Sequence, residues 1–410
     1  MSSTSPQHPD GDATHWWLGD ALAAGPEGLT LDGVSVAELA ARHSTPLYVY
    51  GAATVRRRFA QLRAALAGTG VAARIYYAMK ANRFPPLLRL IRAEGDVAID
   101  GCSPREVAHA LAIGFDPAEI SVTAGMLSRR DLAEFADQGV HLNLDTRSGL
   151  RRWGETAGHG RCVGLRLNPG VAVGWGDEPK LRYGASQFGF DEDSVLEAAR
   201  YAQHLGLEVD TLHVHLGWGL QASAAPQIAQ VYRRLAGWAR EIPTVRVLNV
   251  GGGLCWKQRA QDQPLAVEAW ADLLAEHLGP VCRELGLTIA CEPGTFVMAS
   301  AGLLVAEVNT VELRASGTWV GLNIGHNLNV YAAHYDIPLA ILPVARPLAT
   351  PGPPVHVAGN VNEANDVFAR SIRLPKVVEG DLVALWPAGA YGAAMASDHC
   401  MRGLHVEVLV

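Results

Sequence analysis

Arg74-Ile75-Tyr76-Tyr77-Ala78-Met79-Lys80-Ala81-Asn82 is an apolar run that ends on a lysine, and Phe84-Pro85-Pro86-Leu87-Leu88 follows it closely. The β-branched and aromatic make-up of 74–79 reads as a strand, and the prolines open a helix. Lys80 therefore stands at a strand's carboxyl end. An amine held there, partly desolvated, is able to condense with an aldehyde. Taken alone, a strand-end lysine is an ordinary solvated group, because lysines are seldom buried. Its meaning depends on what the other strand ends carry.

Working outward, strand-like runs recur at 97–101, 120–124, 141–145, 162–168, 211–217, 245–250 and 288–292. Segments rich in Ala, Leu, Arg and Glu lie between them, at 84–94, 103–113, 128–137, 147–157, 191–206, 222–240 and 263–286, with a leading one at 52–67. With 74–79 this makes eight strands, each with a helix in front, the number that closes a parallel (β/α)8 barrel. Ser103, Pro104 and Glu106 predict the N-cap, N1 and N3 positions of a capping box, which ends the preceding strand near Asp100. After Gly294 the rhythm breaks. Residues 302–313, 318–323, 355–358, 381–386 and 404–410 read as short strands between Gly- and Pro-rich turns, with 338–354 irregular. This predicts a C-terminal antiparallel β domain, completed by the strand near Tyr48. The expected organisation is a tail and joining segment at 1–45, the barrel at 46–300 and the β domain at 301–410.

Bulk properties exclude several function classes. The 410 residues carry a formal net charge of −7 with no basic run, so neither nucleic acid nor an anionic membrane is an expected partner. The six cysteines, at 102, 162, 255, 282, 291 and 400, lack CxxC spacing and disulfide density, which favours a reducing, cytoplasmic setting. Met1 to Thr14 is polar, without the apolar core of a signal peptide, and reads as a disordered tail.

The chemistry of a (β/α)8 barrel sits on the carboxyl-terminal rim. The rim residues here are Lys80, Asp100, Thr123, Asp145, Arg166 with Asn168, His215 with Gly217, Gly251-Gly252-Gly253, and Glu292 with Gly294. Each has a plain alternative: a triple glycine is commonly a tight turn, and a strand-end glutamate a salt-bridged group. His213 and His215 share a strand face, so a metal pair is conceivable, but no third ligand has suitable spacing and no metal is expected. It is the joint occurrence that points to one cofactor. Lys80 could hold an aldehyde, His215 could stack on an aromatic ring, Glu292 could keep a pyridine nitrogen protonated, and the glycines expose backbone amides to a phosphate. These are the demands of pyridoxal 5'-phosphate.

Over residues 45–410 the chain resembles the alanine-racemase-like (fold type III) pyridoxal-phosphate decarboxylases, such as those acting on diaminopimelate and ornithine. The marks are Tyr77-Ala78-Met79-Lys80-Ala81-Asn82, Asp100 with Ser103-Pro104-Arg105-Glu106, Leu165-Arg166-Leu167-Asn168-Pro169 and Gln187-Phe188-Gly189-Phe190. They continue with His213-Val214-His215-Leu216-Gly217, Asn249-Val250-Gly251-Gly252-Gly253, Cys291-Glu292-Pro293-Gly294, Glu379-Gly380-Asp381 and Gly389-Ala390-Tyr391-Gly392. The resemblance implies covalent attachment of the cofactor at Lys80, stacking by His215, and pairing of Glu292 with the pyridine nitrogen. It further implies a phosphate lined by Gly252, Gly253 and Gly294, and support from Asp100 and Arg166. It also implies a head-to-tail homodimer with shared sites, in which Tyr391 reaches the phosphate of the neighbouring subunit's cofactor. The activity expected is loss of an amino acid's α-carboxylate as carbon dioxide.

Departures from the family pattern cluster around the substrate. The proton-donating cysteine of Gly-x-x-Cys-Glu-Ser-x-Asp is Asn362 in Gly359-Asn360-Val361-Asn362-Glu363-Ala364-Asn365-Asp366. Trp218 replaces a phosphate-binding serine, Thr295 an arginine, and Gly325-His326-Asn327-Leu328-Asn329-Val330-Tyr331 lacks the Arg-Pro-x-x-Tyr carboxylate clamp. Asp398-His399, followed by Cys400, replaces a late Asn-Tyr pair. Asn362 and Glu363 are expected at the substrate, and His399, Cys400 or Lys80 as the proton source. The substrate is then an amino acid other than diaminopimelate, of D configuration or attached to a larger molecule, as in secondary metabolism. A racemase or epimerase on this scaffold, or a non-catalytic cofactor-binding relative, remains the alternative.

Overall fold

The computed structural model describes residues 15–171, 173–176, 183 and 186–410; the N-terminal tail expected at 1–14 lies outside them. The described residues divide into two compact units, one within 59–255 and 263–296, the other within 15–58, 256–262 and 297–410.

The first unit is a closed parallel barrel. Its strands are β1 (Ala73–Ala78), β2 (Val97–Gly101), β3 (Ile120–Thr123), β4 (His141–Leu144), β5 (Cys162–Asn168), β6 (Glu208–Val214), β7 (Val247–Asn249) and β8 (Thr288–Cys291). Neighbours pair in parallel from β1 to β4 and from β5 to β8; β4 pairs β5 and β8 pairs β1, which closes the cylinder. The strands lie under helices and inside the barrel at once, so β2 and β3 are buried at every position.

Local chemistry sets where each strand ends. The helix Arg129–Gln138 starts at Ser128, whose hydroxyl accepts from the Asp131 amide at 3.1 Å while Asp131 accepts from the Ser128 amide at 2.8 Å. It stops at Gly139, left-handed with φ +71°, and buries Leu132 and Phe135, each worth about 1.5–3 kcal/mol. The helix Pro104–Ile113 differs from expectation in one contact. Ser103 caps the Glu106 amide at 3.2 Å, but Glu106 Oε2 accepts from the Cys102 amide at 2.7 Å rather than from the cap residue. The reach of the glutamate thus tethers the residue just beyond β2.

The second unit is built on a mixed sheet, not a purely antiparallel one. Gly302–Arg314 pairs antiparallel with Leu47–Tyr50, Gly317–Leu322 and Leu382–Trp386. Gly317–Leu322 pairs in parallel with Val355–Ala358, and Val406–Leu409 with Leu47–Tyr50. Leu47–Tyr50 belongs to this sheet, as expected of the strand near Tyr48. Two further strands, Ala340–Pro343 and Val367–Ile372, fall where no strand was expected, the first inside the stretch read as irregular. An N-terminal hairpin, Leu22–Gly25 with Gly28–Leu31, and the helix Val36–His43 bury Leu22, Leu29, Leu31 and Leu39 against Val49, Leu303, Val305 and Trp386. Among the described residues no helix is long and apolar enough to cross a membrane.

Candidate active site

The residue after β1 enters a single helical turn, Met79–Ala81, and carries Lys80 to the rim. The turn is pinned on both sides: the Ala78 amide donates to Pro293 O at 3.1 Å, and the Tyr77 hydroxyl to Asn82 O at 2.9 Å. Lys80 Nζ lies 2.9 Å from Asp100 Oδ2 at the end of β2 and 3.5 Å from Cys102 Sγ. The lysine side chain is 40% exposed and the aspartate 0%. Burial, with the nearby Glu292 charge, pushes the Asp100 carboxyl up to about 7 against the pull of Lys80. Burial likewise pushes the Cys102 thiol up to about 12, so it stays protonated. The second Asp100 oxygen, Oδ1, is buried without a hydrogen-bond partner among the described residues.

On the neighbouring strand, Glu292 follows β8 and is surrounded by donors. His213 Nε2, on β6, lies 3.0 Å from Oε2; Asn249 Nδ2, at the end of β7, donates to Oε1 at 2.8 Å, and the Thr123 hydroxyl, at the end of β3, donates to Oε1 at 3.3 Å. Burial alone would raise this carboxyl, yet His213 opposite it, aided by Lys80, holds it well below the ordinary carboxylate range. It is an anion with every neighbour donating, which is the complement of a protonated ring nitrogen and not of a bare one.

His215, just past β6, is kept neutral: burial, then the Arg166 and Lys80 charges, depress it well below its usual value. Its Nδ1 accepts from the Gly252 amide at 3.2 Å, and its ring packs 5.0 Å from that of Tyr183. The glycine run admits no side chain. A Cβ at Gly252 would sit 2.5 Å from Glu292 O, and one at Gly253, where φ is +108°, 2.7 Å from Gly217 O. Arg166, buried on β5, lays its guanidinium 4.2 Å over the Phe188 ring. Trp218 Nε1 donates to the Thr295 hydroxyl at 2.8 Å, with both side chains buried.

Eight of the residues singled out in the sequence, Lys80, Asp100, Arg166, His215, Gly252, Gly253, Glu292 and Gly294, thus belong to the barrel unit. His213 and His215 do not form a metal pair, since they serve Glu292 and Gly252 respectively. Among the described residues no group of three or more His, Cys, Asp or Glu side chains is placed to hold a metal ion. The donors to Glu292 were not foreseen. The available signal was a polar side chain, Asn249 or His213, near the carboxyl end of a strand.

The remaining residues lie in the second unit. His399 Nε2 is 3.2 Å from Glu363 Oε1, and both side chains are about half exposed. His326 Nδ1 is 3.3 Å from the buried Asp366 Oδ1, and the two imidazole centroids are 6.1 Å apart. Asp366 also accepts from the His326 and Val361 amides, which shapes the loop bearing the exposed Asn362 and Glu363. Tyr391, left-handed at φ +62°, stacks 5.0 Å from Tyr331; Cys400 is exposed and also left-handed, at φ +58°.

Residues 52–299 match the family described as pyridoxal-dependent decarboxylase, pyridoxal binding domain. The chain is 33% identical over 388 residues to a diaminopimelate decarboxylase of Methanothermobacter thermautotrophicus, covering 93% of this chain and 90% of that one. It is 32% identical over 401 residues to the enzyme of that name from Streptomyces coelicolor, with 93% and 88% covered. The diaminopimelate decarboxylase of M. jannaschii in complex with L-lysine superposes with a TM-score of 0.85 at 25% identity, over 95% of this chain and 93% of that one. The one from Helicobacter pylori, also with L-lysine, gives 0.82 at 25%, over 91% and 93%. The barrel mouth fits the cofactor of these relatives in its strand-end amine, its donor-ringed carboxylate and its side-chain-free glycine turn. The chain belongs to the alanine-racemase-like pyridoxal-phosphate-dependent amino-acid decarboxylases.

Proposed function

We propose that this decarboxylase acts on an amino acid whose far end differs from that of diaminopimelate. The observation that carries this is the Trp218–Thr295 bond. Where the family pattern has a serine and an arginine, these two side chains bond to each other, leaving no cation at 295. Asn327, in place of the clamp arginine, donates instead to Ser397 O at 3.0 Å. The half-exposed Glu363 suits a distal ammonium. A D-amino acid or one joined to a larger molecule, as in secondary metabolism, is the substrate class we favour.

When bound, the cofactor withdraws the electron pair left at the α-carbon as the carboxylate departs as carbon dioxide. The chain's residues do the rest. Lys80 would hold the cofactor's aldehyde, and Asp100, 2.9 Å from its Nζ, would balance the lysine's charge. Glu292, an anion, would keep the proton on the ring nitrogen, and neutral His215 would offer a flat face with no charge to compete. Arg166 backs the rim, and Gly252, Gly253 and Gly294 give backbone room to the phosphate, although the Gly252 amide itself is engaged by His215. In a head-to-tail homodimer, Tyr391 of one copy reaches the phosphate held by the other, and Asn362 and Glu363 meet the substrate. An amide is no acid, so the proton returning to the α-carbon comes from His399, Cys400 or Lys80. All six cysteines are free thiols, which supports a cytoplasmic setting.

Carbon dioxide release from a panel of L- and D-amino acids tests the reading. We expect turnover on a substrate other than diaminopimelate. Turnover on diaminopimelate alone refutes the altered substrate, and exchange of the α-proton without carbon dioxide marks a racemase. Unchanged turnover and product stereochemistry in both His399→Ala and Cys400→Ala would exclude those two proton donors.

A further inference from the structure

We propose that His213 is a positioning residue for this chemistry: its Nε2–H turns the Glu292 carboxylate toward the ring nitrogen of the bound cofactor and keeps it there. The inference rests on pyridoxal phosphate attached at Lys80.

His213 lies on β6 with no exposed surface, and among the described residues its side chain's one hydrogen bond is to Glu292 Oε2, at 3.0 Å. Nδ1 is buried without a partner among the described residues. As core filling this is a poor choice, since a buried polar atom left unpaired costs about 1–3 kcal/mol that a leucine would not incur. What the ring achieves is directional. The opposite oxygen, Oε1, is held by donors that are themselves tethered. Asn249 accepts from the Gly251 amide at 2.9 Å, and the Thr123 hydroxyl accepts from Asn143 Nδ2 at 2.9 Å, which leaves its own proton for Glu292. With Oε1 fixed from one side, His213 fixes Oε2, so the carboxylate plane has no freedom to rotate. With donors on both oxygens, a proton on Glu292 would displace one of them, so the ring nitrogen must carry the proton. The other charged or titratable groups acting on this carboxylate are Lys80, His215, Arg166 and Asp100.

The test reads the ring nitrogen itself. Wild-type protein, His213→Leu and His213→Gln are reconstituted with pyridoxal phosphate labelled with 15N in the ring, and the nitrogen resonance is followed against pH, with no substrate present. We expect the midpoint for loss of the ring proton to fall by about one to two pH units in His213→Leu, and His213→Gln, which keeps an N–H donor, to restore most of it. A folded His213→Leu protein with cofactor fixed on Lys80 by borohydride and a midpoint within about 0.3 pH unit of wild type overturns the proposal. If His213→Leu does not fold, His213→Asn takes its place, because its shorter side chain cannot span to Oε2. A lowered midpoint in Asn but not in Gln supports the role, and equal midpoints overturn it. Failure of wild-type protein to attach the cofactor at Lys80 would instead refute the cofactor reading on which this rests.

Discussion

Replacing Asp100 by asparagine in the cofactor-free protein should remove a pH dependence of stability that the barrel carries in its mouth. The carboxyl is wholly buried, has one oxygen unpaired, and titrates at about 7 instead of near 3.8, chiefly because burial disfavours its charge. A carboxyl raised in the folded state keeps its proton there longer than in the unfolded chain. Stability is therefore highest below the unfolded value and is lost as pH climbs through the folded one. The gap of about three pH units corresponds to at most about 4 kcal/mol. Lys80, the ion-pair partner, is 40% exposed and water screens its side, so about 2 kcal/mol is the working figure. For a unit of this size that amounts to about 4–8 °C in melting temperature. The assay is a pair of thermal melts of wild type and Asp100→Asn across pH 4.5–8. The difference between the curves should tilt toward the variant as pH rises, because the other carboxylates cancel in the subtraction. Curves that stay parallel within about 0.5 kcal/mol would show that Asp100 ionises as an ordinary surface acid, and the buried-pair argument would fail.

Other outcomes follow from the same geometry. Lys80→Ala should take up no borohydride-fixed cofactor, and a label of wild-type intensity elsewhere in the chain would contradict the assignment. Gly252→Ala places a methyl 2.5 Å from Glu292 O, so cofactor affinity, read by absorbance titration, should drop at least about tenfold, or about 1.4 kcal/mol; unchanged affinity would mean that the turn yields. Trp218→Phe removes the 2.8 Å bond to Thr295 and should cost about 1 kcal/mol in urea unfolding, with no loss counting against the pairing. Ser128→Ala deletes a reciprocal cap and should cost about 1 kcal/mol, measured in the same way.

The barrel was legible because its signals are local. A strand buried on both faces must be apolar throughout, a helix covering it must be amphipathic, and alternation of the two leaves few other folds. Lys80 and Glu292 stood out because each interrupts an apolar run where a strand leaves the core. The second unit was harder to read. Ala340-Ile341-Leu342-Pro343 is too short and too close to prolines to look like a strand, and it becomes one by pairing with Leu382–Trp386, some forty residues later. Leu47–Tyr50 reads as a strand anywhere; its sheet is chosen by Gly302–Arg314, more than 250 residues away.

By itself the sequence determined the eightfold alternation, the strand-end amine and carboxylate, and through them the cofactor. Only the tertiary structure decided which donors surround Glu292, that Gly252 serves His215, and that Trp218 and Thr295 satisfy each other. The reason is physical. Whether a residue lies in a strand, and which way it faces, depends on near neighbours. The charge and direction of a buried polar group depend on groups brought within 3 Å from strands far apart in the chain, and no periodicity records that closure.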